Sequence, residues 1–380
     1  MKPLPYELAD IIKRFLPAFI DKFSPNAFQL KVLHDLSVCR TSALGGHKEV
    51  CDCCGKIRIS YNSCRNRHCP KCQCSDQAFW VDDLLNTTLP VKHYHIVFTV
   101  PHLLNHICLQ DSPGFYNDLF KASWDTVRTF GYTQFGVESG AISILHTWGH
   151  NLSFHPHIHM IVPAAGLSLA NNLKHVQGSG KYLYPVKKLS LVFRGKFLEY
   201  ISKRLKKAGT VHEYKKLIQT AGKKAWVVYC EPSLGKPEHV IKYLGQYTHR
   251  VAISNQRITG IDDKTVSFIN KDYKDHSKRK TSRLDGVEFL RRFCMHILPL
   301  RFVKIRRYGI YSSRIKALIN QKNKFSTVKK NETRLQRLKR ITGFDAGLCP
   351  FCKKGFMDTV EIIPRIRSPA IFCKPSALNL

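Results

Sequence analysis

The amino-acid sequence predicts an α+β fold in which an antiparallel sheet with flanking helices follows a small metal-binding module. Residues 93–100, 141–148 and 155–162 are rich in apolar and β-branched side chains and are bounded by proline or turn residues, as strands are. The last two runs are joined by a short loop and are expected to form an antiparallel hairpin. Residues 114–130 instead carry apolar side chains at helical spacing, and a dense cysteine cluster occupies residues 51–74.

The charge of the chain predicts a polyanionic partner. The 380 residues are sufficient for two or three domains, and 43% are hydrophobic, so a sizeable core can form. Lys and Arg number 61 against 27 Asp and Glu, which gives a formal charge of +34. Such an excess is typical of nucleic-acid binding, because neutralised phosphates release counterions. We expect DNA as the partner and no membrane association, because no transmembrane run or long amphipathic anchor is present.

The amino terminus and the cysteine content predict a cytoplasmic protein. Residues 1–20 contain Asp10, Lys13 and Arg14, where a signal peptide would need an unbroken apolar segment. Fourteen cysteines without an export signal favour reduced thiols or bound metal over disulfides.

Residues 1–90 are predicted to form a helical and zinc-binding domain. Residues 6–36 show two helical patterns, which Pro25 separates. The pairs Cys51/Cys54 and Cys69/Cys72 are separated by fourteen residues, close to the spacing of a zinc ribbon. The prediction is therefore one structural Zn²⁺ site made of these four cysteines.

Other residues of this module could bind a second metal or contact DNA. A second metal could use some of Cys39, His47, Cys64 and His68, which otherwise are spare thiols or contacts to phosphates and bases. Basic residues lie among the cysteines, and basic groups on a rigid zinc scaffold suit DNA contact. We expect Arg65 and Arg67 to bind DNA, although a zinc module can equally contact protein.

The predicted hairpin carries a candidate metal site. His157 and His159 alternate with Ile158 along one strand, so both imidazoles point to the same face. His146 on the preceding strand would lie beside them and could be the third ligand. His155 is the rival candidate, but the strand is expected to start at Pro156, which leaves His155 in the loop.

Two tyrosines further along the chain occupy one face of a predicted helix. A basic helical stretch over residues 196–224 and a strand over residues 225–229 come first. Residues 237–250 then show a helical pattern in which Tyr243 and Tyr247 are i and i+4, with their rings side by side. Such a pair usually belongs to a core. A phenol with a pKa of about 10 is also a poor nucleophile, but a divalent cation that polarises a phosphate removes much of that handicap.

Together these motifs resemble those of the two-tyrosine HUH endonucleases, and more narrowly the rolling-circle transposases of bacterial insertion sequences. The shared motifs keep their order over residues 39–309: Cys39-Arg-Thr, Gly45-Gly-His47, Ser63-Cys-Arg-Asn-Arg-His-Cys-Pro-Lys-Cys-Gln73, Leu145-His-Thr-Trp-Gly149, His155-Pro-His-Ile-His159, Ile161-Val-Pro163, Tyr243-Leu244, Tyr247-Thr-His-Arg-Val-Ala-Ile-Ser254 and Ile305-Arg-Arg-Tyr-Gly309. The chain departs from the family pattern at Ala164-Ala165 and at Gln246, neither of which carries a catalytic side chain.

The resemblance implies a zinc-binding amino-terminal domain followed by a catalytic domain, here residues 91–312, with a ferredoxin-like sheet. It implies that Mg²⁺ or Mn²⁺ binds at His157 and His159 together with a third group, which is either His146 or His155. Tyr243 and Tyr247 would be the nucleophiles that form a 5′-phosphotyrosine with single-stranded DNA at the ends of the element. Lys242 and Arg250 flank these tyrosines and are expected to contact the DNA.

Residues 313–380 are predicted to be a basic tail. Residues 301–340 contain fourteen Lys and Arg and one acidic residue, which indicates a disordered tail or a DNA-binding arm. Cys349 and Cys352 form a lone knuckle with only Cys373 nearby, so zinc is not expected there. A hairpin over residues 251–273 and an amphipathic helix over residues 286–298 precede this tail.

Two alternatives to a transposase remain open at this stage. A replication initiator or relaxase would use the same chemistry, although the long zinc module favours a transposase. A non-catalytic zinc-dependent DNA-binding protein would keep its histidines and tyrosines for structural reasons only.

Overall fold

A computed structural model describes residues 4–178, 181–231, 251–272, 278–315 and 331–366 of the chain. Its helices are α1 (Leu8–Phe23), α2 (Ala27–Ser37), α3 (Gln73–Leu85), α4 (Asn105–Gln110), α5 (Ser112–Phe130), α6 (Val186–Lys207), α7 (Val211–Lys223), α8 (Gly286–Met295) and α9 (Arg334–Thr342). Its strands are β1 (Gly46–Cys51), β2 (Ile57–Tyr61), β3 (His93–Thr99), β4 (Val137–Glu138), β5 (Gly140–Trp148), β6 (Phe154–Pro163), β7 (Ala165–Ser168), β8 (Leu173–His175), β9 (Val228–Glu231), β10 (Ile258–Ile261), β11 (Thr265–Asp272), β12 (Lys278–Asp285), β13 (Ile305–Gly309) and β14 (Met357–Ile363). The predicted α+β class with antiparallel sheets is confirmed.

The largest sheet has five strands in the order β13-β5-β6-β3-β9, and all neighbouring strands are antiparallel. The predicted hairpin is present as β5 and β6, with His146 directly opposite His157. Strand β9 starts at Val228, later than the predicted start at Ala225. The difference arises because Trp226 is buried against the end of α7, where its indole N–H donates to the Ala221 carbonyl at 2.9 Å.

One face of this sheet is covered by α5 and α6. Alternation along β3 and β6 directs Phe98 and Ile158 into this core, where both are fully buried. In α6, apolar side chains recur every fourth residue and the buried Phe193 packs against Phe98 at 4.9 Å between ring centroids. The opposite face of the sheet carries the histidines of β6.

The basic stretch predicted over residues 196–224 is divided between α6 and α7. Gly209 separates the two helices with a φ of +76°, a conformation that glycine adopts without strain. Exposed lysines such as Lys206 and Lys216 lie on the solvated surface of these helices. None of the helices in the described ranges combines the length and the apolar character that crossing a membrane requires.

The two amino-terminal helices pack against residues from far along the chain. In α1, Ile11, Ile12 and Phe15 are buried in a second core together with α8 and the sheet β10-β11-β12. Gly286 lies against Phe15, and a Cβ atom there would be 2.4 Å from the phenyl ring. The predicted hairpin of residues 251–273 is present as β10 and β11, with Asp262 accepting backbone hydrogen bonds at the turn.

The carboxy-terminal segment is folded onto the amino-terminal module. Strand β14 pairs antiparallel with β1, and β1 also pairs with β2. Helix α9 lies against α3, where Arg337 and Arg340 both form ion pairs with Asp82. Residues 331–366 of the predicted basic tail are therefore ordered against the amino-terminal module, because β1 offers an open edge that β14 completes.

Candidate functional site

Three histidines of the central hairpin converge on one face of the sheet. His146 lies opposite His157, and His159 lies one side-chain repeat further along β6. One ring nitrogen from each lies within 4.8 Å of the others, and Nε2 of His157 is 3.0 Å from Nε2 of His159. The structure therefore brings together the three histidines that the sequence favoured as metal ligands.

His155 is outside this group. Its ring lies 5.2 Å from that of His157 and 5.0 Å from that of His102, measured between centroids. Its carbonyl oxygen accepts a hydrogen bond of 2.6 Å from Nδ1 of His157. The backbone of His155 thus orients His157, and this bond leaves Nε2 of His157 as the nitrogen directed at the group.

His95 on β3 is a further member of the site that sequence reasoning did not single out. Its Nε2 lies 2.8 Å from Nδ1 of His159, and the two rings are stacked with 5.1 Å between centroids. In the tautomer of His159 whose Nε2 carries no proton, the ring proton is on Nδ1. The Nδ1–H of His159 then donates to Nε2 of His95. In the sequence, the only indication of this role is that His93 and His95 alternate along a predicted strand. The pairing of β3 with β6 is what places His95 beside His159.

The histidine group is suited to a divalent cation. Burial and, to a smaller extent, the charge of the neighbouring His155 together lower the pKa of His157 to about 3. A neutral imidazole offers a lone pair to a metal, whereas the protonated ring does not. No carboxylate belongs to the group among the described residues, and a donor set of imidazoles favours Mn²⁺ over Mg²⁺ on intrinsic grounds.

Four of the predicted site residues cannot be related to this geometry. Tyr243, Tyr247, Lys242 and Arg250 lie in residues 232–250, outside the described residues. The preceding strand β9 pairs with β3, which in turn pairs with β6. The chain therefore reaches residue 231 two strands away from the histidine strand.

The cysteines form two groups of four, and neither is the predicted set. The structure does not join Cys51 and Cys54 to Cys69 and Cys72. One group contains Cys39, Cys64, Cys69 and Cys72, and the other contains Cys51, Cys54, Cys349 and Cys352. The prediction of a single four-cysteine site is wrong, because Cys51 and Cys54 lie with one further pair of cysteines and Cys69 and Cys72 lie with another. The expectation that Cys349 and Cys352 form a lone knuckle is also wrong, because they are the pair that lies beside Cys51 and Cys54.

The first group, which we call the inner cysteine group (Cys39, Cys64, Cys69 and Cys72), is largely buried beneath α1 and α2. Cys39 lies 3.6 Å from both Cys69 and Cys72, and Cys64 lies 3.7 Å from Cys72, measured between sulfurs. Tetrahedral zinc with sulfurs at about 2.3 Å requires sulfur–sulfur distances of about 3.8 Å. Of the candidates for a second metal, Cys39 and Cys64 belong to this group and His47 and His68 belong to neither group.

The second group, which we call the outer cysteine group (Cys51, Cys54, Cys349 and Cys352), joins the two ends of the described chain. Sulfurs lie 3.7 Å apart between Cys51 and Cys352 and 3.8 Å apart between Cys54 and Cys349. Backbone N–H groups of Gly355 and Lys354 lower the pKa of Cys352 to about 6, which favours the thiolate. A Cβ atom at Gly355 would lie 2.8 Å from the Cys51 sulfur, so this position requires glycine.

The two arginines predicted to contact DNA differ in environment. Arg65 is exposed and has a φ of +53°. Arg67 is half-buried, and its Nη1 donates to the Phe302 carbonyl at 2.6 Å. Its bond to the Phe302 carbonyl places this guanidinium between the cysteine module and the central sheet, where burial lowers the pKa of Arg67.

Known proteins are similar to this chain along most of its length. A family model described as a transposase zinc-binding domain matches residues 11–100, and one described as "Putative transposase" matches residues 140–318. The protein "Putative transposase y4qJ" of Sinorhizobium fredii is 36% identical over 386 residues, which cover 96% of this chain and 97% of that protein. The transposase for insertion sequence element IS801 of Pseudomonas savastanoi pv. phaseolicola is 25% identical over 304 residues, which cover 76% of this chain and 71% of that protein.

No solved structure matches the chain. The matched family models and the identity to a transposase over nearly the whole length confirm the family that the motifs predicted, and they support bound zinc in the amino-terminal domain. The chain belongs to the IS91 family of insertion-sequence transposases.

Proposed function

We propose that this transposase nicks and rejoins single-stranded DNA at the ends of its element through a 5′-phosphotyrosine, and that it drives rolling-circle transposition. The observation that carries the proposal is the convergence of three histidine nitrogens within 4.8 Å on one face of an antiparallel sheet. A transposase must cleave and join phosphodiesters, and this cluster is a place where a scissile phosphate can be held.

The connectivity of the sheet supports a ferredoxin-like catalytic fold of the HUH type. Strand β3 is followed along the chain by helices, the hairpin β5–β6, two further helices and β9, while the short strands β4, β7 and β8 in this stretch form a separate sheet. In space these four strands have the order β5-β6-β3-β9. A β-α-β-β-α-β sequence in one antiparallel sheet is the ferredoxin-like arrangement, and β13 adds a fifth strand at its edge.

His146, His157 and His159 would hold the divalent cation, Mg²⁺ or Mn²⁺. When bound, such a cation polarises a phosphoryl oxygen and stabilises the charge that develops on it. The protein contributes imidazoles in fixed orientations, because the His155 carbonyl holds His157 and His95 holds His159. Ligands held in this way need little rearrangement when the DNA arrives.

Tyr243 and Tyr247 are the proposed nucleophiles. The phenolic oxygen forms a bond to phosphorus while the bond from phosphorus to the 3′ oxygen breaks. The products are a 5′-phosphotyrosine and a strand with a 3′-hydroxyl, which receives a proton in place of the one that the phenol loses. The covalent link conserves the energy of the phosphodiester, and the second tyrosine allows another strand to be cleaved while the first link is held.

Both cysteine groups are proposed zinc sites with a structural role. Their sulfur–sulfur distances of 3.6–3.8 Å fit tetrahedral zinc. Arg65, Lys242 and Arg250 are proposed DNA contacts. The excess of positive charge, +34 for the whole chain, would attract the strand toward these sites.

The alternatives make different use of the same residues. A replication initiator or relaxase would form the same covalent intermediate but would not require the ends of an insertion element. A non-catalytic DNA-binding protein would form no covalent intermediate at all.

The proposal is tested by incubating the full chain and Mn²⁺ with single-stranded oligonucleotides that carry candidate ends of the element, followed by denaturing electrophoresis. We expect a covalent protein–DNA adduct with the wild type and none with the double variant Tyr243→Phe/Tyr247→Phe, since phenylalanine lacks the nucleophile. Each single variant should impair transposition. If the wild type binds the oligonucleotide without forming an adduct, the enzymatic proposal fails; if either single variant transposes normally, the mechanism needs only one tyrosine.

A further inference from the structure

An exposed aromatic ring lies on the edge strand of the central sheet, on the same face as the histidine group. Trp226, Val228 and Cys230 are buried in the core beneath α5 and α6. Val227 and Tyr229 alternate with them and are 64% and 53% exposed. Because side chains alternate across a strand, Val227 and Tyr229 project from the opposite face of the sheet, which carries the histidines.

The register of the sheet places Tyr229 in one row with His159. Tyr229 pairs with Val97 of β3, and Val97 pairs on its other side with His159 of β6. Residues directly opposite each other in antiparallel strands direct their side chains to the same face. Two strand spacings, about 10 Å, therefore separate the backbone of Tyr229 from that of His159.

The surface between Tyr229 and the histidine group is open and uncharged. Val97 and Thr99 are only half-buried, and Thr99 pairs with His157. The hydroxyl of Thr99 donates a hydrogen bond of 2.6 Å to the carbonyl of Val227, which connects the two strands at this point. We call these four residues the uncharged strip (Val97, Thr99, Val227 and Tyr229), and it leads from His157 to the edge strand β9.

The chemistry of the uncharged strip suits a nucleotide base and not a phosphate. A phosphate requires cationic or hydrogen-bond donors, whereas every base has a π face that can stack on an aromatic ring. The ring of Tyr229 offers such a surface, and the exposed Val227 beside it would be removed from water by the same base.

We propose that the ring of Tyr229 stacks on a base of the DNA strand whose scissile phosphodiester lies at the histidine group. This proposal rests on the proposed function for the position of the scissile phosphodiester. Tyr229 is then a positioning residue, because it holds a nucleotide near the reacting phosphate without touching the reacting atoms. Stacking of this kind tolerates any base, so it fixes the path of the strand and adds little sequence preference.

The first test compares the binding of a labelled oligothymidylate with that of an abasic strand of equal length, which has the same phosphates and no bases. Tyr229→Leu should weaken the binding of oligothymidylate by about 5–150-fold, the range expected for one stack of a base on an aromatic ring. Its affinity for the abasic strand should equal that of the wild type. The slope of log affinity against log salt should not change, because no phosphate contact is removed.

Two further variants control this comparison. Tyr229→Trp should bind oligothymidylate at least as tightly as the wild type, because an indole ring also stacks on a base. Tyr182→Leu removes another tyrosine, which is 39% exposed and precedes Leu183 and Tyr184 of the core on the helix side. This variant should bind both strands as the wild type does. Unchanged binding of oligothymidylate by Tyr229→Leu, or an equal loss of affinity for both strands, overturns the stacking role.

The second test locates the stacked base relative to the histidine group. Single abasic nucleotides are placed at successive positions of an oligonucleotide that carries an element end, and the yield of covalent adduct in Mn²⁺ is measured at limiting oligonucleotide. We expect one position close to the cleaved phosphodiester where the abasic nucleotide lowers the yield of the wild type but does not lower that of Tyr229→Leu further. If the wild type forms the adduct and no such position exists, the placement of the base beside the histidine group is overturned.

The first test also separates this proposal from the proposed function. If Tyr229→Leu weakens the binding of oligothymidylate alone while the wild type forms no covalent adduct with any strand, base stacking by Tyr229 is supported and the cleavage chemistry is not.

Discussion

The orientation of each histidine ring depends on a neighbour that would not itself touch a metal. His157 is held by the carbonyl of His155, and His159 is held by His95. Hydrogen bonds of this kind select the tautomer of a ligand and raise its basicity. At the scale of single residues, His95 is therefore a positioning residue for the proposed cation.

Replacing His95 with phenylalanine should weaken the binding of Mn²⁺ by about 10–100-fold, because His159 loses the acceptor for its Nδ1–H. The measurement is isothermal titration of the purified protein with Mn²⁺. His93→Phe is the matched control, since His93 precedes His95 by one side-chain repeat on the same strand and bonds to Tyr311 instead. Equal affinities of the His95 and His93 variants would remove His95 from the site.

Prediction at the residue scale was successful where neighbours in the sequence determine the geometry. His157 and His159 share a face because side chains alternate along a strand, and His146 joins them because a short loop forces an antiparallel hairpin. His95 and Arg67 could not be assigned in this way. The role of His95 depends on which strand lies beside β6, and the burial of Arg67 depends on packing between the cysteine module and β13.

At the scale of elements, the pairing of β14 with β1 determines how the cysteines are grouped. This pairing brings Cys349 and Cys352 to Cys51 and Cys54 from almost the other end of the chain. Spacing within the amino-terminal module suggested a single four-cysteine site, because two adjacent knuckles are the usual arrangement. No local pattern in the sequence shows that the residues before the distant strand β14 complete the site of Cys51 and Cys54. Nor does one show that the turn after α2 brings Cys39 to Cys69 and Cys72.

We expect each chain to bind two zinc ions, one in each cysteine group. The double variant Cys349→Ser/Cys352→Ser should contain one, measured by plasma mass spectrometry of protein purified without chelators. It should also melt at a lower temperature, since a structural metal site contributes to folding free energy.

Cys53→Ser controls for the loss of a thiol near the same site. Cys53 is exposed and belongs to neither group, although it lies between two members of the outer cysteine group. This variant should retain two zinc ions. A double variant that also retains two would exclude Cys349 and Cys352 as ligands.

At the scale of the whole molecule, the two faces of the central sheet differ: one packs on helices and the other carries the histidine group. Helices α5 and α6 cover one face with the largest apolar core, and the histidines occupy the other. The second core joins α1 and α2 to α8 and the sheet β10-β11-β12, so the amino-terminal helices are integral to the fold.

We propose that His146, His157 and His159 together form the catalytic metal site, and His155 provides a matched control on the same strand. The decisive measurement is the yield of covalent adduct on a single-stranded element end in Mn²⁺ for His146→Ala and His155→Ala. We predict that His146→Ala loses the adduct as completely as His157→Ala does, while His155→Ala retains it, because the ring of His155 is outside the group and the bond that holds His157 comes from the His155 backbone. Adduct formation by His146→Ala at the wild-type level, or its loss only in His155→Ala, would contradict the account.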